Sequence, residues 1–480
     1  MNRSTFKVII VGGGVSGLGA ADRFQEARHQ GSPISFTLLE GSHLFGGKII
    51  TQREGGFLIE GGPESFVSYK PWALEVCERL GLVSQLIETN REQQRVYTLR
   101  AGQLLELPQG LLVPTRLFPY LTSSVLSGWG KVRMLGDLVL PKFRGTQDES
   151  VAAFVRRRLG REALLRLVEP LLSGIYAGDV ERMSLKSAFP LFYDLEQEYG
   201  SLIRGLLERR KGLRNKPNKE GIKWTTFVTL KEGTGQLVDA WVKHLSPFSM
   251  VSGKKVEQIQ PKGPRSYRVM IEGGEVMEAN AVVLTVPAFQ AARLVEGFSP
   301  ALSGTLKKIP FASTATVSLG FRQEEIPRPM DGYGFIVPRV EGRRILAATW
   351  TSTKFPYRAP PGHVLLRCFL GGTLGQEILS LGDQEMIRVV REELRGIMGI
   401  SAEPVFSKVF RWDNATPQYT VGHQNRLDLI EEALRGFPCL VLTGSSYRGI
   451  GIPDCIHQGT LAAERILKDF FRGSTVSPIV

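Results

Sequence analysis

Cysteine and histidine are scarce in this chain. Its 480 residues hold four cysteines, Cys77, Cys368, Cys439 and Cys455, with no C-x-x-C spacing. That pattern excludes a disulfide framework and a zinc ribbon, and makes a reducing compartment the expectation. Each cysteine reads instead as a small buried apolar residue. The six histidines, at 29, 43, 244, 363, 423 and 457, show no H-x-x-x-H spacing, so no metal is expected. There is no Ser/His/Asp or Cys/His context from which to build a triad, and there are no internal repeats.

Long apolar runs are missing too. The most membrane-like stretch, 111–129, contains Pro114, Pro119, Gly128 and Arg116, too many breaks for a spanning helix. With Trp129, Lys131 and Arg133 at its edge, it fits either a segment lying in a membrane interface or a buried helical lobe. A cytoplasmic location is expected, with peripheral attachment to the inner face of the membrane as its variant. Acidic residues are outnumbered: the net charge is +13 and the pI about 9.6. Without a zinc-finger, KH or RRM signature, that excess implies no nucleic-acid partner; it suits acidic small molecules or an anionic surface.

What is abundant is glycine, with 53 residues. The first cluster decides the reading. An apolar run, Val8 to Val11, stops at Gly12-Gly13-Gly14-Val15-Ser16-Gly17; a helix-compatible stretch follows, then a second apolar run, Ile34 to Leu39, ending at Glu40. Strand, G-x-G-x-x-G, helix, strand and acid form a dinucleotide-binding βαβ unit. Gly12 permits the tight turn, Gly14 lets a pyrophosphate approach the backbone, and Gly17 allows close helix packing. The helix N-terminus offers free N–H groups to phosphate. Glu40, 23 residues beyond Gly17, has the spacing of a ribose-hydroxyl acceptor. Asp22 and Glu26 on the helix argue against a secretory signal.

Glycine pairs recur soon afterwards, at Gly46-Gly47 before Lys48 and at Gly55-Gly56, with Gly62-Pro63-Glu64-Ser65 following. They read either as hairpin turns or as backbone pressed against a flat ligand, and beside a dinucleotide site they favour FAD. Residues 71–90 are expected to be helical, and 150–210 are rich in helix formers. Within them, 169–179 reads as an apolar loop framed by Gly174 and Gly178, closing on an apolar ligand or joining two helices. The basic run 204–223 reads as a mobile surface loop. Strand patterns return at 227–230, 255–259, 267–271 and 281–286, then at 314–321, 334–337 and 365–370. The chain closes with an apolar strand from Leu440, a glycine loop and a helix to about Phe471. The expected fold is mixed α/β. A discontinuous Rossmann-like FAD-binding domain comes from 1–70, 225–290 and 438–480, a helical lobe from 71–224, and a mixed-sheet substrate domain from 291–437.

Several of these segments together resemble the porphyrinogen oxidases of haem biosynthesis, in the monoamine-oxidase-like flavoenzyme superfamily. The signs are the βαβ unit, Gly46-Gly47-Lys48, Ser173 to Asp179, Gly332 to Pro338, Pro417-Gln418-Tyr419 with Gly422-His423, and Gly444 to Ile456. The resemblance implies FAD contacts at Gly12, Gly13, Gly14, Val15, Ser16 and Gly17, at Glu40, Gly47 and Lys48, and at Gly62, Pro63, Glu64 and Ser65. It adds Val256 at the adenine and Trp412, Ile450, Gly451 and Ile452 around the flavin. For a flat tetrapyrrole it implies walls at Gly174, Ile175, Ala177, Tyr333, Gly334 and Ile336, with Lys70 and Arg95 toward propionates.

The implied reaction passes hydride to the flavin and electrons on to dioxygen, releasing peroxide, over three cycles and six electrons. The chemistry lies in FAD, so no catalytic side chain is expected. Residues 350–354 and 452–456 look like the branch that oxidises coproporphyrinogen III. Arg95 points to the branch that takes protoporphyrinogen IX. A flavin amine oxidase, a carotenoid desaturase and a non-catalytic binder like the Rab GDP-dissociation inhibitors are the alternatives. Handover to a ferrochelatase and a homodimer complete the expected partners.

Overall fold

Five parallel strands form the sheet that carries the first motif. Its order is Met250–Val251, Ile34–Leu39, Phe6–Val11, Ala281–Leu284 and Leu440–Leu442. The architecture comes from a computed structural model, which describes residues 5–108, 123–145, 147–214 and 224–473. Phe6–Val11 is buried at five of its six positions, as a central parallel strand covered on both faces must be. Three distant stretches of chain therefore build one sheet. Helix Val15–His29 packs against the terminal helix Ile452–Gly473. A side chain at Gly459 would collide with the carbonyl of Ser16, so glycine there lets the two helices touch. Both helix N-termini consequently open on the same side of the sheet, at the carboxyl ends of its strands.

A seven-stranded sheet forms the second layer. Its order is Phe406–Pro417, Phe311–Arg322, His363–Gly371, Ala347–Trp350, Gly332–Ile336, Arg95–Arg100 and Gln103–Glu106. The expected strands at 314–321, 334–337 and 365–370 all fall within it. Two differences stand out. The hairpin 95–106 comes from the stretch assigned to the helical lobe, and pairs in parallel with Gly332–Ile336. That bond joins residues more than 200 positions apart, beyond the reach of local pattern. Helix Ala288–Val295, which crosses the expected 290 boundary, and helix Pro300–Lys307, beyond it, bury their apolar faces in the core of the first sheet.

Helix Gly128–Leu135 precedes Val151–Arg158 in the helical lobe. Its apolar core is closed by Arg158 and Asp137, both fully buried and ion-paired at 2.6 Å. Here the sequence expectations need three corrections. The helix expected at 71–90 stops at Arg79, and Leu86–Glu88 is a strand. Segment 169–176 is a helix rather than an apolar loop: it continues the helical run from Arg161, with a π-helical turn, Leu164–Val168, just before Pro170, where the proline interrupts the regular bonding, and Ala177 ends it in the left-handed conformation. The basic run is helical over Leu202–Arg214, while 215–223 lies outside the described residues. Most of the stretch 111–129 does too. Trp129 is described, 78% exposed on helix Gly128–Leu135. Among the described residues no helix is long and apolar enough to cross a membrane.

Candidate active site

One cavity of about 1010 Å³ runs between the two sheets and the lobe, at the upper end of the range for small-molecule sites. The first wall is the βαβ turn, through Gly12, Gly14, Val15 and Ser16. Gly46-Gly47 lies against that turn: the Gly46 N–H donates to the Gly13 carbonyl at 2.8 Å. Gly55-Gly56, by contrast, only turns a hairpin between Thr51–Glu54 and Phe57–Glu60. Glu40 is held by two backbone amides, accepting from Gly13 N–H at 2.6 Å and from Ser42 N–H at 2.7 Å. Each carboxylate oxygen keeps a lone pair for a hydroxyl. Helix Val15–His29 starts at Gly14 with no side-chain cap and no acid in its first turn, so its N–H groups face the cavity free of competition.

The cradle fits a pyrophosphate. A methyl group added at Gly14 would meet nothing of the protein nearer than Gly47 Cα at 4.0 Å, so protein packing alone does not call for glycine there. Around it the lining carries five cations, Lys48, Lys254, Lys255, Arg293 and Arg367, against two acids, Glu40 and Glu257. Such a field suits a dianionic cofactor. Val256 lines the cavity at the start of its strand, where the adenine end is expected.

The opposite end is formed by other parts of the chain. Trp412 lines it and donates its indole N–H to the Gly61 carbonyl at 2.8 Å. Arg367 is buried and donates to the carbonyls of Gly61 and Gly62, at 3.1 and 2.7 Å. Desolvation lowers its basicity, with Glu64 and Glu60 opposing that shift. Burial alone would raise Glu64, but Lys354, Arg367 and Arg358 outweigh it and hold the carboxyl below its ordinary range. Glu64 thus sits behind the cavity wall, ion-paired to Lys354, rather than in it. Lys48 reaches the Ala415 carbonyl, and desolvation pushes its amine down, opposed by Cys455. Burial pushes the Cys455 thiol up to about 11, so it is an inert lining group.

Of the residues expected to hold FAD, Gly47, Lys48, Gly62, Pro63, Ile450 and Ile452 also line the cavity. Gly13, Gly17, Glu64, Ser65 and Gly451 do not line it. Of the expected substrate residues, Gly174, Ile175 and Ala177 line it; five others are engaged elsewhere. Arg95 is half exposed and ion-paired to Asp331, and Lys70 is bonded to Asp454 at 2.6 Å. The Tyr333 hydroxyl donates to the Asn90 carbonyl. A side chain at Gly334, whose φ is +133°, would collide with the Ala348 carbonyl, so strand pairing itself requires that glycine. Ile336 is buried in the lobe core. The sequence reading missed Arg367, Thr314, Thr316 and Phe369. Arg367 had a visible signal: it is a lone cation inside the apolar run Val364 to Leu370.

Comparison with known proteins identifies this arrangement. Residues 15–467 match the family described as flavin containing amine oxidoreductase. The chain belongs to that family. It is 37% identical to coproporphyrinogen III oxidase of Bacillus subtilis, over 97% of this chain and 98% of the relative. It is 31% identical to protoporphyrinogen oxidase 1, chloroplastic, of Arabidopsis thaliana, over 94% and 86%. A solved structure from Exiguobacterium, provisionally named a protoporphyrinogen oxidase, superposes with a TM-score of 0.83 at 31% identity, over 97% and 99%. This family member is a flavin-dependent oxidoreductase with a mixed α/β fold, and its cofactor is FAD. The resemblance read from the motifs holds.

Trp412→Phe tests the flavin end. It keeps the apolar wall and removes one donor, while Arg367 still serves the Gly61 carbonyl. The lost bond lies within the protein and is worth ~1 kcal/mol, so Trp412→Phe should lower the unfolding free energy by about that amount, and faster FAD release would mark this wall as a cofactor contact.

Proposed function

We propose that this oxidoreductase converts coproporphyrinogen III to coproporphyrin III within haem biosynthesis. Each turnover takes one hydride and one proton from the macrocycle, and dioxygen with two protons leaves as hydrogen peroxide. Three turnovers remove six electrons. FAD supplies the two-electron acceptor. The protein's part is to hold the ring carbon against it, keep water out and balance the propionates. The observation that carries the reading is the continuity of the cavity. It passes from the cofactor cradle to an apolar wall at Gly174, Ile175, Ala177 and Phe369, with no acid–base pair along that wall.

The coproporphyrinogen branch is favoured by the Bacillus relative's name and by the basic lining, which suits a substrate with four propionates. Protoporphyrinogen IX is the second reading, favoured by the chloroplastic relative. Peripheral membrane contact through the exposed Trp129, a homodimer and direct handover to a ferrochelatase belong to the same proposal. Presenting both porphyrinogens side by side and following porphyrin fluorescence and peroxide decides between the branches. Fluorescence from neither, with FAD bound, sinks both.

Ile175 gives a sharper check. It is 56% exposed on the cavity wall, so Ile175→Glu should fold normally. A carboxylate facing propionates should raise KM for porphyrinogen about tenfold and leave the flavin spectrum unchanged. An unchanged KM would move the substrate away from this wall.

A further inference from the structure

The loop Gly444 to Gly451 lines the cavity with Ser445, Ser446 and Ile450, and Gly444 lies beside Ser16 and Thr285 at the βαβ turn. Three successive residues of this loop are anchored from behind. Tyr419 donates its hydroxyl to the Ser445 carbonyl at 2.6 Å. The Ser446 hydroxyl oxygen accepts the Ala288 N–H at 3.0 Å. His423 meets the Tyr447 carbonyl through Nε2 at 2.9 Å. The two aromatic anchors are themselves locked together: their rings stack 4.3 Å apart, 17° from parallel, and both are buried.

A carbonyl can only accept, so Nε2 of His423 carries the proton. Burial pushes this imidazole down to about 4, so the ring is neutral at ordinary pH, and Nδ1 is a buried lone pair without a partner among the described residues. A histidine with one bonded nitrogen and one idle one is placed for the donor it offers, not for proton transfer. Neither Tyr419 nor His423 lines the cavity.

The peptide plane converts this rear anchoring into a front-facing donor. In a trans peptide the C=O of Ser445 and the N–H of Ser446 point in opposite directions. Tyr419 draws the carbonyl away from the cavity, so the Ser446 amide is turned toward it. That amide makes no backbone hydrogen bond among the described residues. We propose that the Tyr419–His423 stack is a positioning device for FAD, setting the tilt of the 445–447 peptides so that the Ser446 N–H is presented to the cofactor. The proposal rests on FAD as the cofactor and is independent of which porphyrinogen is oxidised.

The test uses FAD-loaded protein and needs no substrate. His423→Phe keeps the ring stack and removes the donor. His423→Gln restores an N–H at the distal position. Tyr419→Phe deletes only the hydroxyl. Flavin absorption, midpoint potential and the rate of FAD release are read in each. His423→Phe and Tyr419→Phe should each release FAD about tenfold faster with a shifted flavin band, and His423→Gln should return to within about twofold of the parent. Parental release rate and flavin band in His423→Phe and Tyr419→Phe, even with lowered melting temperatures, would reduce the stack to core filling and overturn the proposal. Should His423→Phe fail to fold, Tyr419→Phe decides alone, because it removes a single oxygen atom.

Discussion

Gly14→Ala is expected to empty this protein of FAD while leaving it folded. Gly14 has φ −71° and ψ 177°, a conformation alanine adopts without strain. The added methyl would touch no protein atom within 4 Å except Gly47 Cα, at the edge of contact. Its direction is into the cradle, where the pyrophosphate must approach the helix N-terminus. Intrusion of a methyl group into a filled contact costs ~1–3 kcal/mol, so FAD affinity should fall by up to about 100-fold. Purified protein should be colourless, and its FAD-free denaturation midpoint should match that of the deflavinated parent to within ~0.5 kcal/mol. Yellow, flavin-replete Gly14→Ala would mean that the pyrophosphate does not cross this glycine. Gly17→Ala is the contrast. A side chain there collides with the Gly12 carbonyl, so that variant should lose stability along with FAD.

Asp137→Ala should be the most destabilising single change in the helical lobe. Its Oδ1 accepts from Arg158 Nε at 2.6 Å, and its Oδ2 accepts from the Ser201 hydroxyl at 2.6 Å and the Ile203 N–H at 2.9 Å. Arg158 spends its other donors on the carbonyls of Asp137, Leu140, Pro141 and Gly200. Both side chains are fully buried. Removing the carboxylate leaves a guanidinium in the core with backbone carbonyls and, as its one remaining carboxylate among the described residues, Glu196 at 3.5 Å. Breaking one half of a buried pair costs ~3–5 kcal/mol, a large part of a domain's ~5–15 kcal/mol. Because the lobe carries the wall Ser173 to Ala177 and the βαβ unit lies elsewhere, the variant should retain flavin and lose porphyrinogen turnover. Denaturant unfolding followed separately by flavin release and by far-UV dichroism would resolve the two. Coincident transitions at the parental midpoint would show that the pair contributes nothing.

The cofactor was legible because its determinants are local. Gly12 to Gly17 and Glu40 lie within one βαβ unit, where turn geometry, helix dipole and strand spacing act over fewer than thirty residues. The terminal strand, loop and helix read the same way. The cavity wall proposed for the substrate was legible only at Gly174, Ile175 and Ala177, and even there an apolar loop was expected where a helix ending at Ala177 stands. Arg95, Lys70 and Tyr333 looked free along the sequence and are bonded in the fold to Asp331, Asp454 and Asn90, each more than 200 residues away.

By itself, then, the sequence determined that a dinucleotide binds and which glycines and acid make up its βαβ turn. Those properties follow from residue type and short-range backbone geometry. Tertiary structure alone decided which cations face the cavity, that Arg367 is buried against the Gly61 and Gly62 carbonyls, and that Tyr419 and His423 converge on one loop. Such placements depend on strand pairings and helix contacts between distant segments, which no local periodicity encodes. The hairpin 95–106 shows the same limit: its alternation is ordinary, and only its parallel pairing with Gly332–Ile336 makes it an edge of the seven-stranded sheet.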